Sequence, residues 1–292
     1  MNQPCDNPPP GTHRVDDLDL PALDVYRHLK DRHLKCRQGL FIAEGLEVVR
    51  RLLLSSYRVH SVLLTPEKLE RLAPDLPAGV AVYLATVKQM QDLAGFTIHR
   101  GALACGVRPA PRSLDEVIAV GDAARLMVVL ENICDAQNVG VIVRNAAAFG
   151  AGLVVLSGCC DPYYRRAVRV SMGNVFRVPL YVTDRLADDL QAFRERLGVE
   201  LVAAELSAAA TPLGAAPRAS RVALLFGAEG EGLTAETLRL CDHRVVVPMA
   251  PGTDSVNVAV ASGIFLYAYS ASTTAASALT GWASTSRVAA RR

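Results

Sequence analysis

The sequence is poor in aromatic side chains: Phe, Trp and Tyr make up 5% of 292 residues, with a single Trp. A nucleic-acid platform built on many stacked rings is therefore excluded. Net charge is also small, +2 at neutral pH. That argues against a surface coated with positive charge, yet leaves room for a local basic patch. The seven cysteines (Cys5, Cys36, Cys105, Cys134, Cys159, Cys160 and Cys241) are odd in number, irregularly spaced and without a CxxC pair. Neither a zinc site nor a disulfide framework is expected from them, and no metal is expected elsewhere. Reduced thiols are the plainer reading. Long hydrophobic runs are missing too. The longest, 258–268, is broken by Ser262 and Gly263 and is too short for a bilayer. The start, MNQPCDNPPPG, lacks the basic residues and apolar stretch of a signal peptide. These features predict a cytoplasmic protein with no membrane partner.

What the chain does have is apolar bulk, 51% of its residues, drawn largely from Ala, Val and Leu. Its length suffices for one large domain or two ordinary ones with a real core. Residues 1–12 read as a disordered tail and 273–292, rich in Ala, Ser and Thr with a basic end, as a flexible one. The zone 13–110 holds all four lysines. There RVHSVLLTPEKLERLAP reads as strand, turn and helix, AVYLATVKQMQDLA as strand and helix, and GALACGV as a strand, which together make a small sheet covered by helices. Breaks in PAPRSLDEVIAVGDA suggest a linker at 111–124. From 125 to 272 continuous apolar strands alternate with helices. LMVVL (126–130), LVVLSG (153–158), VALLFG (222–227) and HRVVVPM (243–249) are the strands; VGVIVRNAAAFG (139–150) and NVAVASGIFLYAYS (257–270) are helices. This is the pattern of an α/β fold whose parallel sheet is covered on both faces, and ligands on such sheets lie beyond the carboxyl ends of the strands.

Three loops at those ends carry the chemistry. ENICDAQNVG (131–140) leads into a helix whose polar side chains are Arg144 and Asn145. A guanidinium there needs a partner, either a ligand or a carboxylate such as Glu229 or Glu231. Asn138 can be explained as an N-cap. FGAEGEGLT (226–234) has three glycines that allow close backbone approach. It is neither a Walker loop nor a dinucleotide fingerprint, and a polar turn with solvated glutamates is an equal reading. In VVVPMAPGTDSVNVAVA (245–261), Ser255 and Asn257 serve either as caps or as site residues. No Ser/His/Asp order fits these loops, and His243, placed in a strand, reads as structural.

Taken in order and spacing, NVGVIVRNAAAFG, LLFGAEGEGL and VVVPMAPGTDSVNVAVA closely resemble the three motifs of the SpoU/TrmH branch of the SPOUT methyltransferases. Upstream, KCRQGLFIAEGLEVVRRLL is similar to the FxxEGxxxVxxAL signature of the substrate-binding domain that often precedes them, with Glu44 and Gly45 in place. The resemblance implies a parallel α/β sheet with a C-terminal trefoil knot (the SPOUT fold), preceded by a small L30e-like α/β domain that binds substrate RNA. It implies S-adenosylmethionine as cofactor and methylation of a ribose 2′-hydroxyl in RNA. It also implies a homodimer packed through the knot regions. Catalytic roles carry over onto Asn138, Arg144, Glu229, Ser255 and Asn257, and cofactor binding onto Gly227, Val247, Met249 and Val256. Two departures stand out: Pro251-Gly252 shifts the usual glycine by one, and Val256 replaces the usual Leu. Ribosomal RNA is expected before transfer RNA as substrate, on the strength of the extra N-terminal domain. A transfer-RNA ribose methyltransferase and a non-catalytic RNA-binding or ribosome-assembly factor are the alternatives.

Two basic runs are candidate RNA contacts. YRHLKDRHLKCR offers Arg27, Lys30, Arg32, Lys35 and Arg37, with a solvated helix face as the competing explanation. YYRRAVRVS offers Arg165, Arg166 and Arg169 beside two tyrosines.

Overall fold

The computed structural model describes residues 11–27, 29, 39–95, 101–253 and 255–271. The proposed basic contacts Lys30, Arg32, Lys35 and Arg37, most of the N-terminal tail and the C-terminal tail lie outside them.

In the first half, strands β1 (Thr12–Arg14), β2 (Leu40–Glu44), β3 (Val59–Leu64), β4 (Ala81–Leu84) and β5 (Ala102–Val107) form a mixed sheet in the order β1-β4-β3-β5-β2. Helices α1 (Leu46–Leu53), α2 (Pro66–Leu72) and α3 (Val87–Ala94) cover it. Thr86 closes a capping box with Gln89 and so sets the start of α3. The tail expected over 1–12 is too long at its end, because Thr12 already pairs with Val82 in β1.

The region taken for a linker contains a packed helix, α4 (Leu114–Gly121). A capping box between Ser113 and Glu116 starts it, and Val117 is fully buried. The breaks around it are real; the amphipathic piece between them simply finds a surface to cover.

The second sheet holds β6 (Leu126–Glu131), β7 (Leu153–Ser157), β8 (Leu180–Thr183), β9 (Glu200–Ala204), β10 (Thr211–Pro212), β11 (Val222–Phe226) and β12 (His243–Val246). Its order is β10-β12-β9-β11-β6-β7-β8, and every pairing is parallel. The helices are α5 (Ala136–Ala148), α6 (Arg165–Val170), α7 (Leu186–Leu197), α8 (Ala235–Leu240) and α9 (Val258–Ala271).

Strand alternation divides the core in two. Met127, Val129, Val155, Leu201 and Leu225 meet Val117 of α4 and Leu190 and Phe193 of α7 on one face. Val128, Leu130, Val154, Leu224 and Phe226 meet α5 and α9 on the other. This second cluster continues without a break into Phe41, Val49 and Leu52 of the first half.

Ion pairs bind the two halves as well. Arg108 donates to both carboxylate oxygens of Asp161, at 3.1 and 2.5 Å. Arg165 and Arg169 both reach Glu44, which is buried. Tyr57 and Tyr163 share a hydroxyl–hydroxyl bond of 2.9 Å inside a ring cluster with Phe41 and Phe176. Among the described residues no helix is long and apolar enough to cross a membrane.

Candidate active site

The three loops converge. Asp135 has extended dihedrals and accepts from Gln137 N at 2.7 Å, so it caps α5. The helix therefore begins before Asn138, and the capping role considered for that residue belongs to Asp135. Asn138, in the first turn and 7% exposed, turns its side chain out of the helix instead. Its Nδ2 donates to Glu229 Oε1 at 2.9 Å. Asn257 Nδ2 donates to the same oxygen at 2.8 Å and to Asn138 Oδ1 at 3.0 Å. Asn257 Oδ1 accepts from Ala259 N at 2.9 Å and so caps α9. Each amide oxygen thus meets a donor and each amide nitrogen an acceptor, which fixes both orientations. One residue from each loop enters this closed triangle.

The second loop is a tight hairpin in which Ala228 N donates to Gly232 O at 3.1 Å and Gly232 N returns to Ala228 O at 2.9 Å. Gly230 and Gly232 hold φ of +88° and +72°. A Cβ on Gly227 would stand 2.1 Å from the Gly232 carbonyl carbon, so glycine there is what lets the hairpin close. Its far end is pinned by Glu131, a buried carboxylate at the carboxyl end of β6. Glu131 accepts from Thr234 N at 2.9 Å, Thr234 Oγ1 at 2.9 Å and Thr237 Oγ1 at 2.8 Å. The sequence reading missed this anchor. Its only signal was an acid closing an otherwise apolar strand.

Arg144 pairs with neither Glu229 nor Glu231. It is exposed and makes no hydrogen bond or ion pair among the described residues. Six residues separate it from Asn138, about 240° around the helix axis at 100° per residue. The carboxylate partner considered for it is taken by the two asparagines. Its neighbour Asn145 donates to Ala259 O at 2.9 Å and Ser262 Oγ at 3.0 Å, stapling α5 to α9.

Beside the triangle lies a cleft of ≈ 570 Å³ at the carboxyl ends of β9, β11 and β12. Gly227, Val247, Met249 and Val256 line it, as do Ser255 and Asn257. Ser255 is exposed and makes no hydrogen bond among the described residues. Phe226 and Phe265, edge to face at 5.7 Å, form part of its apolar wall. Glu205, Glu229 and Glu231 line it, and no cationic side chain does among the described residues. Size, apolar wall, folded glycine hairpin and carboxylates together suit a nucleoside ligand carrying a positive charge.

The basic candidates separate into two groups. Arg165 and Arg169 are engaged by Glu44, and the Tyr163 ring is packed between the halves, its hydroxyl raised well above the usual phenol range by burial. These residues join the two sheets, with Arg165 and Tyr163 part-buried in the seam and Arg169 still 46% exposed. Arg27 is likewise held locally, by Asp24 at 2.9 Å and Asp19 at 3.4 Å. Arg166 remains exposed. Its Nε donates at 2.9 Å to Gln137, with the glutamine oxygen turned toward it. Gln137 and Arg144 are seven residues apart on α5 and share a face, so Arg144 and Arg166 lie along one cationic side of that helix. His243 behaves as expected and bonds Glu200 on the neighbouring strand at 3.1 Å.

Comparison with known proteins agrees with this geometry. Residues 125–267 match the family model described as the SpoU rRNA methylase family. An uncharacterized tRNA/rRNA methyltransferase of Mycobacterium tuberculosis is 41% identical over 262 residues, covering 87% of this chain and 90% of the relative. A 23S rRNA (guanosine-2′-O-)-methyltransferase of Acinetobacter baylyi is 32% identical over 199 residues, covering 65% of this chain and 78% of the relative. The AdoMet-bound rRNA methyltransferase of Sinorhizobium meliloti superposes with a TM-score of 0.76 at 25% identity, covering 89% of this chain and 97% of that one. The chain belongs to the SpoU rRNA methylase family.

Proposed function

We propose that this protein methylates a ribose 2′-hydroxyl of RNA with S-adenosylmethionine as donor. The observation that carries the reading is the Asn138–Glu229–Asn257 triangle at the mouth of the cleft, which gathers one side chain from each of the three loops. Bound S-adenosylmethionine supplies an electrophilic methyl group on a sulfonium. Gly227, Val247, Met249 and Val256 hold it through the cleft lining. Arg144 is always protonated, so it is not the base. It binds the phosphate next to the target nucleotide and stabilises negative charge developing on the 2′-oxygen. An oxygen of that phosphate receives the hydroxyl proton. Asn138, Asn257 and Ser255 orient the ribose, and Glu229 locks the two asparagines.

A second copy of the chain completes the site. The face of α5 and α9 beside the triangle is an apolar groove lined by Val141, Val260, Ile264 and Tyr267. Val260 and Tyr267 are 54% and 65% exposed. Asn138 and Asn257 line this groove too. A homodimer packed here covers it and brings the partner's Arg144 toward the triangle, which the helix geometry denies to the chain's own. The knot is supported by chain course: from β11 the backbone crosses β9 to β12, then returns to lay α9 on α5.

Ribosomal RNA is the proposed substrate class, supported by the names of the Acinetobacter and Sinorhizobium proteins. The first sheet and its helices serve as the RNA substrate-binding domain, and the protein works in the cytoplasm with its substrate. The test is methyl transfer from labelled S-adenosylmethionine to separated ribosomal and transfer RNA. Wild type labels ribosomal RNA, and Arg144→Ala does not. RNA and cofactor binding with no labelling by wild type would favour an assembly factor instead.

A further inference from the structure

Glu205 follows directly after β9, the strand beside the one that carries the glycine hairpin. Its backbone N–H donates to Val245 O at 3.0 Å, which seats the residue against β12. Its side chain lines the same cleft as Gly227 and Met249. Oε2 is buried and makes no hydrogen bond among the described residues. Arg244 Nε stands 3.6 Å away, too far to satisfy it with a hydrogen bond. A buried acceptor without a donor is destabilising, and a donor arriving with a ligand removes that cost.

We propose that Glu205 binds the ribose hydroxyls of S-adenosylmethionine. The assignment rests on the cleft being the site of that cofactor. S-adenosylmethionine has few donors to offer: the adenine amino group, the two ribose hydroxyls and the α-ammonium. The ammonium shares its carbon with a carboxylate, which a buried second carboxylate repels. The vicinal hydroxyls are neutral and adjacent, and one acceptor-only carboxylate takes both. An acid at the carboxyl end of the strand next to a glycine-rich loop is also the arrangement by which parallel α/β sheets commonly hold a nucleoside ribose. Glu205 is thus a cofactor-binding residue.

The test is calorimetric binding of S-adenosylmethionine and of 5′-methylthioadenosine, which keeps the ribose and lacks the amino-acid end. Wild type binds both. Glu205→Ala weakens both by the same factor, roughly tenfold to a hundredfold, the loss of a hydrogen bond to a charged group. Glu205→Gln, which keeps one acceptor, falls between. Arg244→Met stays near wild type for both ligands. Thermal unfolding of each variant separates loss of affinity from loss of fold. Wild-type affinity in Glu205→Ala and Glu205→Gln would overturn the proposal and leave Glu205 as the partner of Arg244 alone. A loss confined to S-adenosylmethionine would move the contact to the amino-acid end. If wild type bound neither compound, the cleft itself would be misread.

Discussion

The side-chain amide of Asn257 lies 2.8 Å from Glu229 Oε1, tying the third loop of the site to the second. The same residue caps α9 through its other amide atom. Position and chemistry are therefore coupled in one side chain. Asn257→Ala should lose about 1 kcal/mol of stability from the cap. Methyl transfer should fall at least about a hundredfold, because a misplaced reacting group costs that much. Asn257→Asp should keep the cap but set a second carboxylate against Glu229. Its thermal stability should recover while its activity does not.

Arg144 contributes nothing visible to the fold. Arg144→Ala should change unfolding free energy by less than about 0.5 kcal/mol, the range of ordinary surface changes. Activity should disappear. If two copies build each site, mixing Arg144→Ala with Asn138→Ala protein should restore about a quarter of wild-type activity, since half the dimers are mixed and each holds one intact site. No recovery after exchange would show that both residues act within one chain.

Glu131 is a buried carboxylate satisfied by three neutral donors and by no cation among the described residues. Glu131→Ala leaves Thr237 and the backbone of Thr234 without acceptors and should cost about 2–4 kcal/mol in denaturant unfolding. It should also weaken S-adenosylmethionine binding by freeing the hairpin. Undiminished affinity in a folded variant would separate the anchor from the cleft.

Glu44 joins the halves through Arg165 and Arg169. Its side chain is 7% exposed and that of Arg165 is 17%, so Glu44→Ala breaks a part-buried ion pair and leaves a cavity in the seam between the sheets. We expect a loss of about 3 kcal/mol. A value near zero would mean that the apolar contact alone holds the two sheets together.

Burial pushes the Cys159 thiol up to about 11 and those of Cys105 and Cys241 up to about 12. These thiols are favoured in the protonated form by folding. Their contribution to stability is complete below the unfolded thiol pKa of about 8.5 and is lost as pH rises through 11 to 12. Unfolding free energy should therefore decline on the alkaline side. At pH 8, alkylation followed by peptide mapping should find exposed Cys134 modified well before these three. Equal rates would contradict the packed environment of Cys159.

Much of this was readable in the chain. Continuous apolar strands such as LMVVL and VALLFG announced a parallel sheet covered on both faces, and the loops after them supplied Asn138, Glu229 and Asn257. Pairings distant in sequence were hidden. Glu44 and Arg165 are 121 residues apart, so nothing local in YYRRAVRVS shows that Arg165 and Arg169 hold the halves together. Asn138 looked like a cap because Asp135, three residues earlier, does that job with the same chemistry. Helix α4 reads as linker in the sequence because its amphipathic stretch is short and flanked by breaks. Glu131 and Glu205 gave no local pattern, since one acid at a strand end is common and only burial marks it.

The most direct test is nucleoside analysis of ribosomal RNA after reaction with labelled S-adenosylmethionine. The label should appear in a 2′-O-methyl ribose that resists alkaline cleavage, and it should vanish with Arg144→Ala. Label on a base, or ribose label that persists in that variant, would contradict the account.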